Sequence, residues 1–105
     1  MKSRELHGVA EEAAAFVSAL AHPARLRIVC GLIDGERPAG ELAISAGLRA
    51  PLLSQQAAIL EARGIIRRRR LGRSVLYRLA SSPARRLTRL LHAVFCAPGR
   101  RRPHR

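Results

Sequence analysis

The chain has 105 residues, which is room for one domain and not two, and is enough to bury a real core without metal or disulfide staples. With 48% apolar and 26% charged residues it is globular rather than disordered, and with no Trp, one Tyr and two Phe its core must come from helix-forming aliphatic side chains, not a β-sandwich. The net charge of +13 is unevenly placed: residues 1–61 set Lys2, Arg4, Arg25, Arg27, Arg37 and Arg49 against all seven acids, whereas residues 62–105 hold fourteen arginines and no acid.

Taken in chain order, Val9, Ala13, Phe16, Val17 and Leu20 recur at helical spacing opposite Glu11 and Glu12, predicting an amphipathic helix that stops near His22, ahead of Pro23. A second helix is expected from Pro23 to about Asp34, with Leu26, Val29, Cys30 and Ile33 on one face, Arg25 on the other, and Gly35 ending it. Pro38 opens a short third helix over residues 39–46, with Leu42, Ala43 and Ala46 inward and Gly47 as its left-handed terminus. After a tight turn, Pro51 begins a fourth helix with Leu53, Ala57 and Leu60 buried, closed by Gly64; the pair reads as a helix-turn-helix.

From Ile65 the period changes to two. Residues 65–70 and 74–79 read as strands joined by Leu71, Gly72 and Arg73, a hairpin with a basic tip. Pro83 starts a last helix to about Ala97, with Leu87, Leu90, Leu91, Val94 and Phe95 on a broad apolar face. The expected fold is therefore mostly α with a small β-hairpin: a winged helix-turn-helix of five helices and a two-stranded wing over residues 1–97, followed by a basic disordered tail at 98–105.

The longest uncharged stretch, residues 13–24, is far short of the ~20 apolar residues that span a bilayer, so no membrane role is expected and the chain reads as cytoplasmic. An excess of Arg over Lys can be compositional bias, but bias does not remove acids, and a polycationic half points to nucleic acid. A helix-turn-helix lays its second helix in the major groove. The candidates for DNA contact there are Ser54, Gln55 and, on the flank, Gln56, with Arg49 in the turn before; Gln can pair adenine and Arg guanine through two hydrogen bonds. In the wing Arg67, Arg68, Arg69, Arg70, Arg73 and Arg78 crowd like charges unless phosphate offsets them, and Arg68, Arg70 and Arg73 are the candidates to grip the backbone of double-stranded DNA. The first and last helices each carry an apolar face that so small a body cannot bury, and a homodimer would cover both. An enzyme is not expected: the chain has no Gly-rich phosphate loop and no nucleophile with a neighbouring base and acid. An RNA-binding or nucleoid-coating protein would want stacking aromatics, whereas Phe16, Tyr77 and Phe95 sit in core periodicity.

The run Ala19-Leu20-Ala21-His22-Pro23-Ala24-Arg25-Leu26-Arg27-Ile28, with Gly40-Glu41-Leu42-Ala43, Leu53-Ser54-Gln55-Gln56 and Leu60-Glu61-Ala62-Arg63-Gly64-Ile65-Ile66, resembles the bacterial ArsR/SmtB family of dimeric winged-helix repressors over about residues 9–97. The resemblance implies a bacterial, nucleoid-associated repressor of an adjacent operon that releases DNA when an inducer binds, and the two-fold of the expected dimer matches a pseudo-palindromic operator. A His commonly stands in the family where this chain has Gln56. The metal-sensing branches place Cys-x-Cys in the third helix or Asp and His pairs on the last; here residues 39–43 hold no thiol and the last helix only His92, so no metal and no cofactor is expected. Cys30 and Cys96, 66 residues apart, instead resemble the BigR/SqrR-like branch that senses persulfides and related oxidants. That implies a redox pair bridged by a disulfide or a longer sulfur chain, with His92 one turn before Cys96. On their own, with Cys30 on an apolar face, both residues read first as small buried hydrophobes, which would leave the inducer unknown; the resemblance is what turns the reading toward a sensor.

Overall fold

The computed structural model describes residues 3–96, the side chain of Cys96 apart. The basic tail expected at 98–105 lies outside the described residues. Five helices and three strands follow in the order α1 (Ser3–Leu20), α2 (Pro23–Gly31), β1 (Arg37–Pro38), α3 (Ala39–Ala46), α4 (Ala50–Ala62), β2 (Ile66–Leu71), β3 (Ser74–Leu79) and α5 (Ser82–Cys96).

The break between α1 and α2 bends the chain by 86°. His22 makes the corner: its extended backbone ends one helix, and its Nδ1 accepts the Ala24 N–H, satisfying one of the open donors of α2 while Pro23 occupies the first turn. The regular part of α2 ends at Gly31, three residues before the expected Asp34. The backbone keeps turning, however, through i to i−3 bonds from Leu32 to Val29, Ile33 to Cys30 and Gly35 to Leu32, and only Gly35, at φ +134°, reverses it.

The buried side of α2 also differs from its predicted face. Ala24, Ile28, Val29 and Leu32 are buried, whereas Leu26, Cys30 and Ile33 are half-buried. A single-stripe reading assumes one packing partner, but α2 is the central helix and packs on α1, α3, α4 and α5. Around it Leu42 and Ala46 of α3, Leu53, Ala57 and Leu60 of α4, and Ile65, Ile66, Tyr77 and Leu79 of the hairpin close one continuous core.

The helix-turn-helix forms as the sequence predicts. Gly47 takes the left-handed conformation (φ 67°) and its N–H reaches back into the last turn of α3, while the side chain of Arg27 donates from Nε to the Ala46 carbonyl at 2.7 Å. Arg49 caps α4 with its backbone, and Pro51 sits in the first turn. The wing is a β2–β3 hairpin in which Leu71 pairs with Ser74, so that only Gly72 and Arg73 form the turn. A third strand not anticipated from sequence, β1, adds to the other edge of β3, with Arg37 opposite Tyr77 and Pro38 opposite Leu76. Pro38 suits both an edge strand and the extended residue ahead of α3.

The outer helices are largely wet in the single chain. Of α1 only Ala19 and Leu20 are buried, and Val9 and Val17 are exposed; on α5 Ala84 and Thr88 are buried, whereas Leu90, Val94 and Phe95 are not. The buried Thr88 hydroxyl is satisfied by the Ala84 carbonyl one turn back, at 2.7 Å. Among the described residues no single helix is long and apolar enough to cross a membrane.

Candidate nucleic-acid interface

Burying Leu53, Ala57 and Leu60 leaves Ser54, Gln55 and Ala58 exposed on the opposite face of α4, with Arg49 exposed at its N-terminus. Three of the four residues expected on this side are thus brought together in the half of the helix able to meet base edges. Gln56 is not among them. It is half-buried, and its Oε1 accepts a hydrogen bond from Nη1 of Arg25 at 2.8 Å. Arg25 itself, expected on the outer side of α2, turns inward, and its Nε donates to the Ala19 carbonyl at the end of α1.

The wing arginines divide by strand alternation. Cross-strand pairing sets Arg68 and Arg70 against Tyr77 and Val75 on one face, and Arg67 and Arg69 against Arg78 and Leu76 on the other. Arg69 reaches Glu36 with a two-pronged ion pair, Nε to Oε2 at 2.7 Å and Nη2 to Oε1 at 2.8 Å. The hydrogen bonds from Arg69 hold the Glu36 carboxyl below its usual range, and the same pair raises the Arg69 guanidinium further. Since the carboxyl is depressed in the folded state, whatever the pair contributes is complete above the ordinary carboxylate range and is lost only as acid reaches the depressed value. Arg68 lies 3.6 Å from the Glu61 carboxylate at the C-terminal end of α4, a looser contact at the surface. Arg70 and Arg73 are exposed. An arginine held by a carboxylate must exchange that partner for phosphate, so Arg70 and Arg73 are the better placed of the predicted wing contacts.

The signals for Arg25 and Glu36 were weak in the sequence. Arg25 lies six residues after Ala19 across a proline corner, and Glu36 is 33 residues from Arg69. No periodicity links residues at such separations.

Cys30, near the end of α2, borders a cleft of about 330 Å³ with Gly31, Asp34, Gly35, Glu36, Arg37 and Ser45. Cys96 is the last residue of α5, and α5 packs on α2. His92 stands one turn before it on the same helix and is exposed. Among the described residues no three Cys, His, Asp or Glu side chains converge as a metal site.

No family model matches the chain. It is 46% identical over 89 residues to the Biofilm growth-associated repressor of Agrobacterium fabrum, covering 85% of this chain and 76% of that one. The structure of reduced HlyU from Vibrio cholerae superposes with a TM-score of 0.85 at 32% identity, covering 89% of this chain and 98% of the other. The homodimeric winged helix-turn-helix domain of a possible ArsR-family regulator of Mycobacterium bovis gives a TM-score of 0.75 at 29% identity, over 90% and 86% of the two chains. These relatives are transcriptional regulators, not enzymes, and the superposed structures share the winged helix-turn-helix architecture described above. The chain belongs to the ArsR/SmtB family of winged helix-turn-helix transcriptional regulators and is BigR-like within it.

Proposed function

We propose that the protein is a homodimeric, thiol-controlled transcriptional repressor, working on the bacterial chromosome in the cytoplasm, which binds a pseudo-palindromic operator and leaves it when Cys30 and Cys96 are bridged. The repressor part is supported by the 46% identity to a protein named for repression, together with an exposed Arg49–Ser54–Gln55 face beside an arginine wing. Arg49, Ser54 and Gln55 meet base edges, and Arg70 and Arg73 grip phosphate.

The observation that carries the thiol part is the packing of the two cysteine-bearing helices: α2 holds Cys30 and also packs on both helices of the helix-turn-helix, while α5 ends in Cys96 and exposes the apolar face a partner would cover. In the reaction one thiolate attacks the outer sulfur of an organic persulfide, R–S–SH, releasing R–SH and leaving a cysteine persulfide. The second thiol then displaces hydrogen sulfide and closes a disulfide. The bridge draws α2 and α5 together, changing the angle between the dimer face and the reading helix. The persulfide is the oxidant and is reduced to thiol and sulfide.

The test is mass spectrometry of the protein after treatment with an organic persulfide, alongside an operator titration. Cys30→Ser and Cys96→Ser should bind operator like the parent and stay bound when treated. The parent should fall toward its non-specific affinity, typically ~10³-fold weaker or more. Undiminished release by the double Ser variant returns both cysteines to an inert packing role. HlyU of Vibrio cholerae, 32% identical, is named a transcriptional activator, and displacing another repressor would need the same DNA contacts. Transcription of the operator-bearing promoter with purified components separates the two, since only a repressor lowers it.

A further inference from the structure

One guanidinium bridges α1, α2 and α4. Arg25 donates through Nε to the carbonyl of Ala19 at 2.5 Å and through Nη1 to Oε1 of Gln56 at 2.8 Å. Ala19 lies in the last turn of α1, where carbonyls lack helical partners and a cation is favoured. Gln56 is on the flank of α4, one residue on from the exposed Gln55. Both side chains are half-buried, so the bonds are partly shielded from water, and a planar fork loses little freedom in holding two acceptors at fixed angles. A lysine, with a single nitrogen at its end, cannot span the two in the same way. The three elements have different tasks: α1 exposes Val9 and Val17 to a partner, α2 carries Cys30, and α4 presents the reading face.

We propose that Arg25 and Gln56 form a strut that sets the angle of the reading helix to the dimer helix, and that Gln56 serves DNA recognition through Arg25 rather than by touching a base. This rests on the recognition-helix reading given above. Neither residue touches DNA in this view, so removing either one misaligns the paired helices across the two-fold while every phosphate keeps its arginine.

The decisive variant is Gln56→Glu. A carboxylate still accepts from Arg25, and more strongly, but it would repel DNA and could not pair adenine if the side chain faced a base. Operator and random duplexes are titrated over a range of salt, with the thermal midpoint of each variant measured alongside. Gln56→Ala and Arg25→Ala should each weaken operator binding about 10-fold or, for Arg25→Ala, which also loses the Ala19 bond, somewhat more, while leaving random-sequence affinity and the salt slope nearly unchanged, and the double variant should be no worse than Arg25→Ala alone, as expected when Gln56 acts only through Arg25. Gln56→Glu should stay within about 3-fold of the parent. If Arg25→Ala does not fold, the Gln56 pair decides alone: Glu tolerated and Ala not supports the strut, and Glu worse than Ala overturns it. Gln55→Ala separates the two levels of the argument. If it relaxes discrimination while Gln56→Glu abolishes operator binding, only the strut falls; if it leaves discrimination intact, the recognition-helix reading falls as well.

Discussion

Two glycines in helices show how much a single residue's setting decides. Gly31 closes α2 against α3, and a Cβ built on it would stand 2.9 Å from Cδ1 of Leu42 and 3.5 Å from Oγ of Ser45. Leu42 is fully buried, so its methyl has nowhere to move. Gly40, in the first turn of α3, has nothing within 4 Å of the same atom and no positive φ. Replacing a helical glycine by alanine gains roughly 0.5–1 kcal/mol from backbone entropy, whereas overpacking a tight contact costs roughly 1–3 kcal/mol. Gly40→Ala should therefore stabilise by about 0.5 kcal/mol and Gly31→Ala destabilise by about 1 kcal/mol, opposite signs for the same substitution. Chemical denaturation of both variants at one temperature checks this, and equal signs would contradict the close α2–α3 approach. Nothing in the sequence distinguishes the two glycines, because the side chain that matters comes from a residue eleven positions away on another helix.

At the level of elements, the wing is where charge and geometry meet. Arg67 and Arg78 face each other directly across the hairpin, an arrangement that is unfavourable in isolation and is offset when phosphate lies close by. Because Arg69 is held by Glu36 and Arg70 and Arg73 are exposed, the variants should separate. Arg70→Ala with Arg73→Ala should weaken operator and random duplexes alike and flatten the dependence of log affinity on log salt by about 0.9 for each phosphate no longer neutralised, whereas Arg69→Ala should change that slope far less. A slope change of equal size for Arg69 would mean that DNA displaces Glu36. The hairpin itself was legible because its strands change the apolar period from 3.6 to 2 around a glycine, and the helix-turn-helix because Pro, Gly and the spacing of Leu53, Ala57 and Leu60 agree with one another. The strand β1 was not. Two residues carry no periodicity, and Arg37 and Pro38 are extended because β3, some 40 positions later, offers them an edge. The inward turn of Arg25 was hidden for a related reason: a helix packed from several sides has no single outer face to read.

For the molecule as a whole, the apolar side chains left exposed on α1 and α5 are what the single chain does not resolve. Val17 is 54%, Leu90 59% and Phe95 48% exposed, on helices whose sequence periodicity already marked these positions as an apolar face. Such side chains scattered singly would be ordinary, but Leu6, Val9 and Val17 on one helix and Leu90, Val94 and Phe95 on another form stripes, which is how an interface differs from a surface. A two-fold pairing through them buries each stripe on both subunits at once. It also places two reading helices at a fixed separation, so that the second half-site binds at the high local concentration set by the first. A charge placed in one stripe appears twice at the two-fold and is left without solvent or partner. Leu90→Asp should therefore yield a folded monomer that retains random-sequence binding through its wing but loses most of its preference for a full operator, while a duplex carrying a single half-site should bind parent and variant with nearly equal affinity. Sedimentation at micromolar concentration gives the mass, circular dichroism the fold, and titration of the full and half operators the linkage between them. A Leu90→Asp protein that remains dimeric with undiminished operator preference would place the subunit contact elsewhere on the molecule.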